Sequence, residues 1–181
     1  MIGHFEARFA AVGGQGILLA GDILAEAAIT YENLYALDSP TYTAQVRGGP
    51  TKVDVIIDDN RIHFTRTTEI DFMLCLAQRS WDRFSSGLKP DCIVLIDPQL
   101  VHSVDESYNV YRIPIVELTK SHLKRIVYTS AVSLGAMIGL TEIIRPDSVR
   151  SALLDKAPTG TEEQNLKAFN LGYEVAKQLM K

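Results

Sequence analysis

At 181 residues, with 46% hydrophobic and 22% charged side chains, the chain has the composition of an ordinary globular protein. A formal net charge of −4 argues against nucleic acid as a partner, which calls for a basic face. The length suits a single domain over 1–181, able to bury about 70% of the surface its unfolded chain exposes.

The first element is read from Phe5, Ala7, Phe9 and Ala11, which alternate and run into an apolar edge at 10–12, the pattern of a strand entering a buried sheet. Gly13, Gly14 and Gly16 then free the backbone for positive φ and for close approach by another group. Ile17, Leu18, Ala20, Ile23, Leu24 and Ala27 follow at helical spacing, so a helix begins at or just after Gly16. Strand, glycine turn and helix N-terminus together make an anion site, with a phosphate or pyrophosphate as guest, because unpaired N–H donors and the helix dipole converge there. The spacing matches neither the dinucleotide fingerprint nor the P-loop: Leu19 stands where a third glycine belongs, and no Gly-Lys-Ser/Thr follows. A tight turn that binds nothing is the competing reading.

Residues 33–37 form a second strand closed by Asp38, Ser39 and Pro40. An acidic residue about 20 positions past a glycine turn is where NAD sites hold the ribose, which makes Asp38 a candidate; an Asp-Ser-Pro turn is the plainer account. Residues 41–50 read as a surface loop carrying Tyr42, Arg47, Gly48 and Gly49, suited to anion recognition or partner contact. Beyond it, 52–58 is a strand, 58–60 a turn, and 61–65, with Ile62 and Phe64 alternating, its antiparallel hairpin partner. Such a hairpin makes the sheet mixed.

Strands follow at 71–76, 91–96 and 109–113, with a helix at 79–85 carrying Trp81 and Phe84. Everything later is helical. Residues 131–140 are apolar nearly all round, a core helix in which Gly135 and Gly139 share a face for close packing. Pro146 starts a short helix. Thr161 to Gln164 carry a capping-box pattern, and the last helix puts Leu166, Phe169, Tyr173, Ala176 and Leu179 on one stripe. The predicted fold is α/β: a three-layer sandwich with a mostly parallel, mixed central sheet, helices on both faces and a helical C-terminal part. Ligands of such sheets sit past the carboxyl ends of the strands, where the glycine turn, Asp38 and the Arg47 loop share a rim.

Catalytic chemistry is missing from this reading. His4, His63, His102 and His122 lack metal-ligand spacing, and there is no Gly-x-Ser-x-Gly nucleophile elbow. Cys75 and Cys92 lie in apolar runs and read as buried free thiols; two cysteines fall short of the roughly four thiolates of an iron–sulfur cluster. The N-terminus lacks the basic region of a signal peptide, and the apolar stretch 131–144 is too short and interrupted to span a bilayer, so a cytoplasmic protein with no membrane contact is expected. An anion turn with no acid, base or nucleophile suggests a subunit supporting chemistry done elsewhere.

Three separated motifs carry a resemblance: Gly13-Gly14-Gln15-Gly16 with the following Ile17 to Gly21, the loop Ser39 to Gly49, and the tail Asn165 to Glu174. Together they resemble the gamma subunit of 2-oxoacid:ferredoxin oxidoreductases across essentially the whole chain. Ala11 replaces a frequent family glycine and Gln45 a frequent family acid, whereas Arg47, Gly48 and Gly49 match. The resemblance implies a complex that oxidatively decarboxylates a 2-oxoacid, most like the 2-oxoglutarate type, on thiamine diphosphate. Electrons pass through iron–sulfur clusters to ferredoxin and the acyl group passes to coenzyme A. Indolepyruvate and branched-chain oxoacid complexes share these motifs. It implies partners in the alpha and beta subunits (and delta, where present), with thiamine and clusters on those companions, no cofactor held by this chain alone and no activity for the chain in isolation. It further implies a part in assembly and in the coenzyme A site, for which Gly13, Gly14, Gln15, Gly16 and Arg47 are the candidate contacts and Tyr42, Gly48 and Gly49 the candidate ligand or partner loop. A free-standing dinucleotide-binding protein, favoured by Asp38, and a purely structural interaction subunit are the alternatives.

Overall fold

The structure, a computed structural model, describes residues 3–41 and 48–181. Six strands, β1 (His4–Val12), β2 (Tyr35–Thr41), β3 (Pro50–Asp58), β4 (Ile70–Cys75), β5 (Leu88–Ile96) and β6 (Asn109–Arg112), form one sheet in the order β2-β3-β1-β4-β5-β6. β1, β4, β5 and β6 are parallel to one another, and β3 runs antiparallel to both β1 and β2. The sheet is therefore mixed as expected, through β3 alone. The expected hairpin partner at 61–65 is not a strand. Both edges of β3 are already taken, by β1 and β2, which leaves no free ladder for it.

Strand β2 also differs from expectation. It runs straight through Asp38, Ser39 and Pro40, neither stopping at Leu37 nor turning at Asp38. Pro40 is tolerated because β2 is an edge strand.

The helices are α1 (Ile17–Glu26), α2 (Gln78–Phe84), α3 (Ile115–Leu123), α4 (Thr129–Thr141), α5 (Pro146–Lys156) and α6 (Glu162–Leu179). A π-helical turn at Ala27–Tyr31 extends α1, and a 3₁₀ turn at Ile126–Tyr128 leads into α4. Successive strand residues point to opposite faces. Ala7, Phe9 and Ala11 of β1, with Val53, Val55, Phe72 and Leu74, pack beneath α1, α4, α5 and α6 in the larger core. On the opposite face Ala10, Met73, Cys75, Cys92 and Val94 meet Trp81 and Phe84 of α2 in a smaller one. Helices thus cover both faces, unevenly.

Within the larger core α4 is buried along its whole length and lies directly on α6. A Cβ on Gly135 would fall on the Phe169 carbonyl and 2.9 Å from Tyr173 N, and one on Gly139 2.7 Å from Ala176 Cβ. Gly172 answers from α6, where a Cβ would collide with the Val132 carbonyl. Two expectations for α6 need correction. Its buried stripe is Ala168, Phe169, Gly172 and Ala176, with Leu179 left 49% exposed because the helix outruns α4. The capping box does not close: Thr161 Oγ1 donates to Pro158 O at 2.7 Å, and it receives Asn165 Nδ2 at 3.0 Å, so it never reaches the helix N–H groups.

Candidate functional site

The carboxyl ends of β1, β4 and β5 define one rim of the sheet. At its centre β1 ends in Val12 and the chain passes through Gly13, Gly14 (φ 99°) and Gly16 (φ 75°) into α1. The positive φ values explain the glycines at 14 and 16. Gln15 braces the turn with its side chain: Oε1 accepts from Val12 N–H at 3.0 Å and Nε2 donates to Leu76 O at 3.2 Å, tying the ends of β1 and β4. Ser80 Oγ, donating to Ala11 O at 2.6 Å, anchors α2 at the same place.

The far end of the long loop arrives here as well. Gly13 N–H donates to Gly49 O at 3.2 Å, and a Cβ on Gly13 would stand 3.6 Å from Gly48 N. Gly48 and Gly49 are therefore brought to the glycine turn. Tyr42 and Arg47 lie outside the described residues. At Gly14 and Gly48 a Cβ would meet nothing within 4 Å among the described residues.

Two helix N-termini converge on the turn. A Cβ on Gly16, the N-cap of α1, would lie 3.4 Å from Ser130 Cβ and 3.6 Å from Ser130 Oγ, in the first turn of α4. Neither helix is capped by a side chain among the described residues. Ser130 is 4% exposed and its hydroxyl makes no hydrogen bond to any described residue. Two uncapped helix dipoles and a waiting hydroxyl donor favour an anion at this point. Next to it, Lys124, Arg125, Ile126 and Val127 are exposed on the approach to α4. Sequence reasoning missed Ser130. It sits far from the glycines in the chain, and a serine within an apolar helix carries no signal of its own.

Asp38 is not part of this rim. It pairs across β3 with Val55, which pairs with Ala7. The carboxylate therefore sits five residues short of Val12, about 16 Å down the sheet, and two strands (about 10 Å) to the side. The insertion of β3 between β1 and β2 removes the ribose role proposed for it.

Other polar groups near the rim are occupied. Asp97, fully buried at the end of β5, accepts from Gln99 N–H at 3.0 Å and Val116 N–H at 2.9 Å, capping α3. Cys75 and Cys92 are buried free thiols, each pushed up to about 12, foremost by burial. Two cysteines fall short of the about four thiolates that an iron–sulfur cluster takes, so a cluster does not fit this chain's own residues. No group of three His, Cys, Asp or Glu side chains is placed to hold a metal ion among the described residues. No helix among them is long and apolar enough to cross a membrane.

Residues 6–175 match the model of the pyruvate ferredoxin/flavodoxin oxidoreductase family. The chain belongs to that family. It is 40% identical over 178 residues to the 2-oxoglutarate synthase subunit KorC of Methanocaldococcus jannaschii, covering 96% of this chain and 95% of the relative. Among solved structures it matches the keto/oxoacid ferredoxin oxidoreductase gamma subunit of Geobacter sulfurreducens, with a TM-score of 0.89, 36% identity and coverage of 97% and 98%. The 2-oxoglutarate:ferredoxin oxidoreductase of Magnetococcus marinus, solved with 2-oxoglutarate, coenzyme A and succinyl-CoA bound, shares the fold at a TM-score of 0.86 and 24% identity. There the likeness covers 97% of this chain but 31% of the other. The chain is thus a gamma subunit of a 2-oxoacid:ferredoxin oxidoreductase, and the mixed six-stranded α/β fold is that of its relatives.

Proposed function

We propose that this gamma subunit serves a complex converting 2-oxoglutarate to its acyl-CoA, and that its glycine rim holds the phosphate end of coenzyme A. The 2-oxoglutarate assignment rests on the KorC relative, a subunit of a 2-oxoglutarate synthase. One observation carries the coenzyme A assignment: the uncapped N-termini of α1 and α4 meet at Gly16, beside the Ser130 hydroxyl, which has no partner among the described residues. A pyrophosphate satisfies all three demands at once. Backbone N–H groups of the Gly13–Gly16 turn and Ser130 Oγ would donate to it, Arg47 would add charge from the loop that Gly49 ties to Gly13, and coenzyme A, when bound, supplies the thiol that accepts the acyl group. Thiamine diphosphate and iron–sulfur clusters belong to companion subunits in this reading, ferredoxin is the electron acceptor, and the complex works in the cytoplasm, where buried thiols stay reduced.

The test is steady-state kinetics of the assembled complex. Ser130→Ala and Arg47→Ala should each raise the coenzyme A KM about 10- to 100-fold, as expected for losing one hydrogen bond to a charged group. The oxoacid-dependent decarboxylation half-reaction, run without coenzyme A, should keep its rate. An unchanged KM in both variants removes the assignment, and a higher kcat/KM for pyruvate than for 2-oxoglutarate removes the substrate.

A further inference from the structure

On the face of β1 and β3 opposite α1, helix α2 packs at the Ala10 and Lys52 end of the sheet. The segment between β3 and β4, residues 59–69, crosses that face as a strap without repeating structure. Its position is nonetheless fixed. Thr68 and Glu69 N–H donate to Glu6 Oε2 at 2.7 and 2.8 Å, and Thr67 Oγ1 donates to Asp54 Oδ2 at 2.7 Å. Glu6 and Asp54 are themselves buried in the sheet.

On the outer side of this braced strap Phe64 is 82% exposed, the largest value among the exposed large hydrophobics of the described residues. Arg61, His63 and Arg66 flank it, all exposed, and neither arginine makes an ion pair with any described residue. With Ile56, Ile62 and His4 they border a cleft of about 350 Å³. The acidic groups of that cleft, Glu6 and Asp58, are already engaged by His4 at 3.1 and 2.7 Å. On a chain of net charge −4 the strap presents an aromatic knob between two arginines that form no ion pair with any described residue. An aromatic ring flanked by two arginines on a preorganised backbone has the make-up of an interface hot spot.

We propose that the strap docks a companion subunit of the oxidoreductase, one offering an apolar socket for the Phe64 ring and carboxylates at its rim. Two observations choose this occupant. The unpaired arginines select a partner with carboxylates at its rim, whereas a second copy that met this strap with its own across a two-fold axis would set the two arginine pairs against each other. In the Magnetococcus protein, moreover, the same fold is about a third of a longer chain, so such a unit has further protein as its neighbour. The proposal rests on the subunit reading but not on the coenzyme A assignment. Phe64 lies over the His4–Asp58 end of β1 and β3, about 26 Å along the strand from the glycine turn.

Hydrogen exchange of the strap, compared between the isolated chain and the assembled complex, tests this directly, with protection of 61–66 expected only in the complex. Phe64→Ala should weaken co-assembly about 30-fold, the loss that accompanies removal of an aromatic hot spot. Arg61→Glu with Arg66→Glu should weaken it most at low salt. Both variants should keep the wild-type melting temperature and the wild-type coenzyme A KM once assembled at saturating concentration. Equal exchange of the strap in both states, or unchanged co-assembly of Phe64→Ala alongside normal wild-type assembly, overturns the docking surface while leaving the subunit reading intact. Self-association of the isolated chain that Phe64→Ala abolishes overturns the chosen occupant. Failure of the wild-type chain to assemble with any companion removes the subunit reading itself.

Discussion

On one face of the sheet, Phe9, Val53, Val55, Phe72 and Leu74 meet four helices in a continuous apolar core. On the other, over strands β1 and β3, the inward positions include Glu6, Arg8 and Asp54 beside Ala10 and Ile56. Arg8 Nε and Nη2 donate to Asp54 at 2.7 and 3.0 Å, its Nη1 donates to the Phe84 and Ser86 carbonyls at 2.8 and 2.9 Å, and Nη2 also reaches Thr67 Oγ1 at 3.2 Å. Lys52 Nζ completes the shell around Asp54. The apolar face gains stability from area and close approach. The polar face gains little net energy, because desolvating such a pair nearly offsets its attraction. What it gains is definition: each hydrogen bond fixes where a structureless strap must lie, and so where Phe64 is displayed.

The apolar face should break most severely at its closest approach. Gly135→Ala in α4 or Gly172→Ala in α6 raises intrinsic helix propensity by about 1 kcal/mol. The added methyl drives into a partner backbone carbonyl that cannot move aside, an overpacking cost of about 3 kcal/mol or more. The clash wins, so urea midpoints should fall sharply or the protein should not accumulate folded. A midpoint near wild type in both variants would mean that α4 and α6 separate without penalty, and the close-packed account would fail.

The polar face should respond less, and in a way that separates position from stability. Burial alone would raise the Asp54 carboxyl, but hydrogen bonds from Arg8, Lys52 and Thr67 hold it below the ordinary carboxylate range. Arg8→Met leaves that buried charge to Lys52 and Thr67 alone and should cost about 3 kcal/mol by urea denaturation, whereas Arg8→Met combined with Asp54→Leu should recover most of the loss. The double variant should still release the strap, seen as faster hydrogen exchange at 65–69. Recovery of stability with an undisturbed strap would show that the ion pair does not position it.

What was legible in the sequence follows the same division. The β1–turn–α1 unit, the core helix α4 and its paired glycines could be read because their signals are local: alternation, helical spacing, a run of glycines. The strap could not. Ile62 and Phe64 alternate as a strand would, and only the non-local pairing of β3 with both β1 and β2 shows that no edge was left for them. Asp38 failed for the same reason, since chain distance from the glycines matched a dinucleotide site while the inserted β3 moved it away. Of the rim, the glycines were visible from their spacing. Ser130 became visible only when two helices, remote in sequence, were seen to begin side by side.

The smallest expected effect lies at the end of β1, where the strap begins. His4, about half exposed, places Nε2 3.1 Å from Glu6 and Nδ1 2.7 Å from Asp58. The hydrogen bond to Glu6, assisted by Asp58, raises its pKa above the ordinary histidine value despite the opposing effect of partial burial. Asp58 is held low by the Asn60 backbone N–H and then by His4. A raised histidine adds stability that is complete below its unfolded value of about 6.5 and disappears as pH rises through the folded value. A lowered carboxyl adds stability present above about 3.9 and lost as pH falls through its folded value. The pair therefore contributes most between about pH 4 and 6.5. Solvent screening keeps the contribution within about 1 kcal/mol. Urea midpoints of wild type and His4→Gln should differ at pH 5.5 and converge by pH 9. A gap that persists unchanged at pH 9 would assign the role of His4 to packing, and the charged clasp at the base of the strap would have to be abandoned.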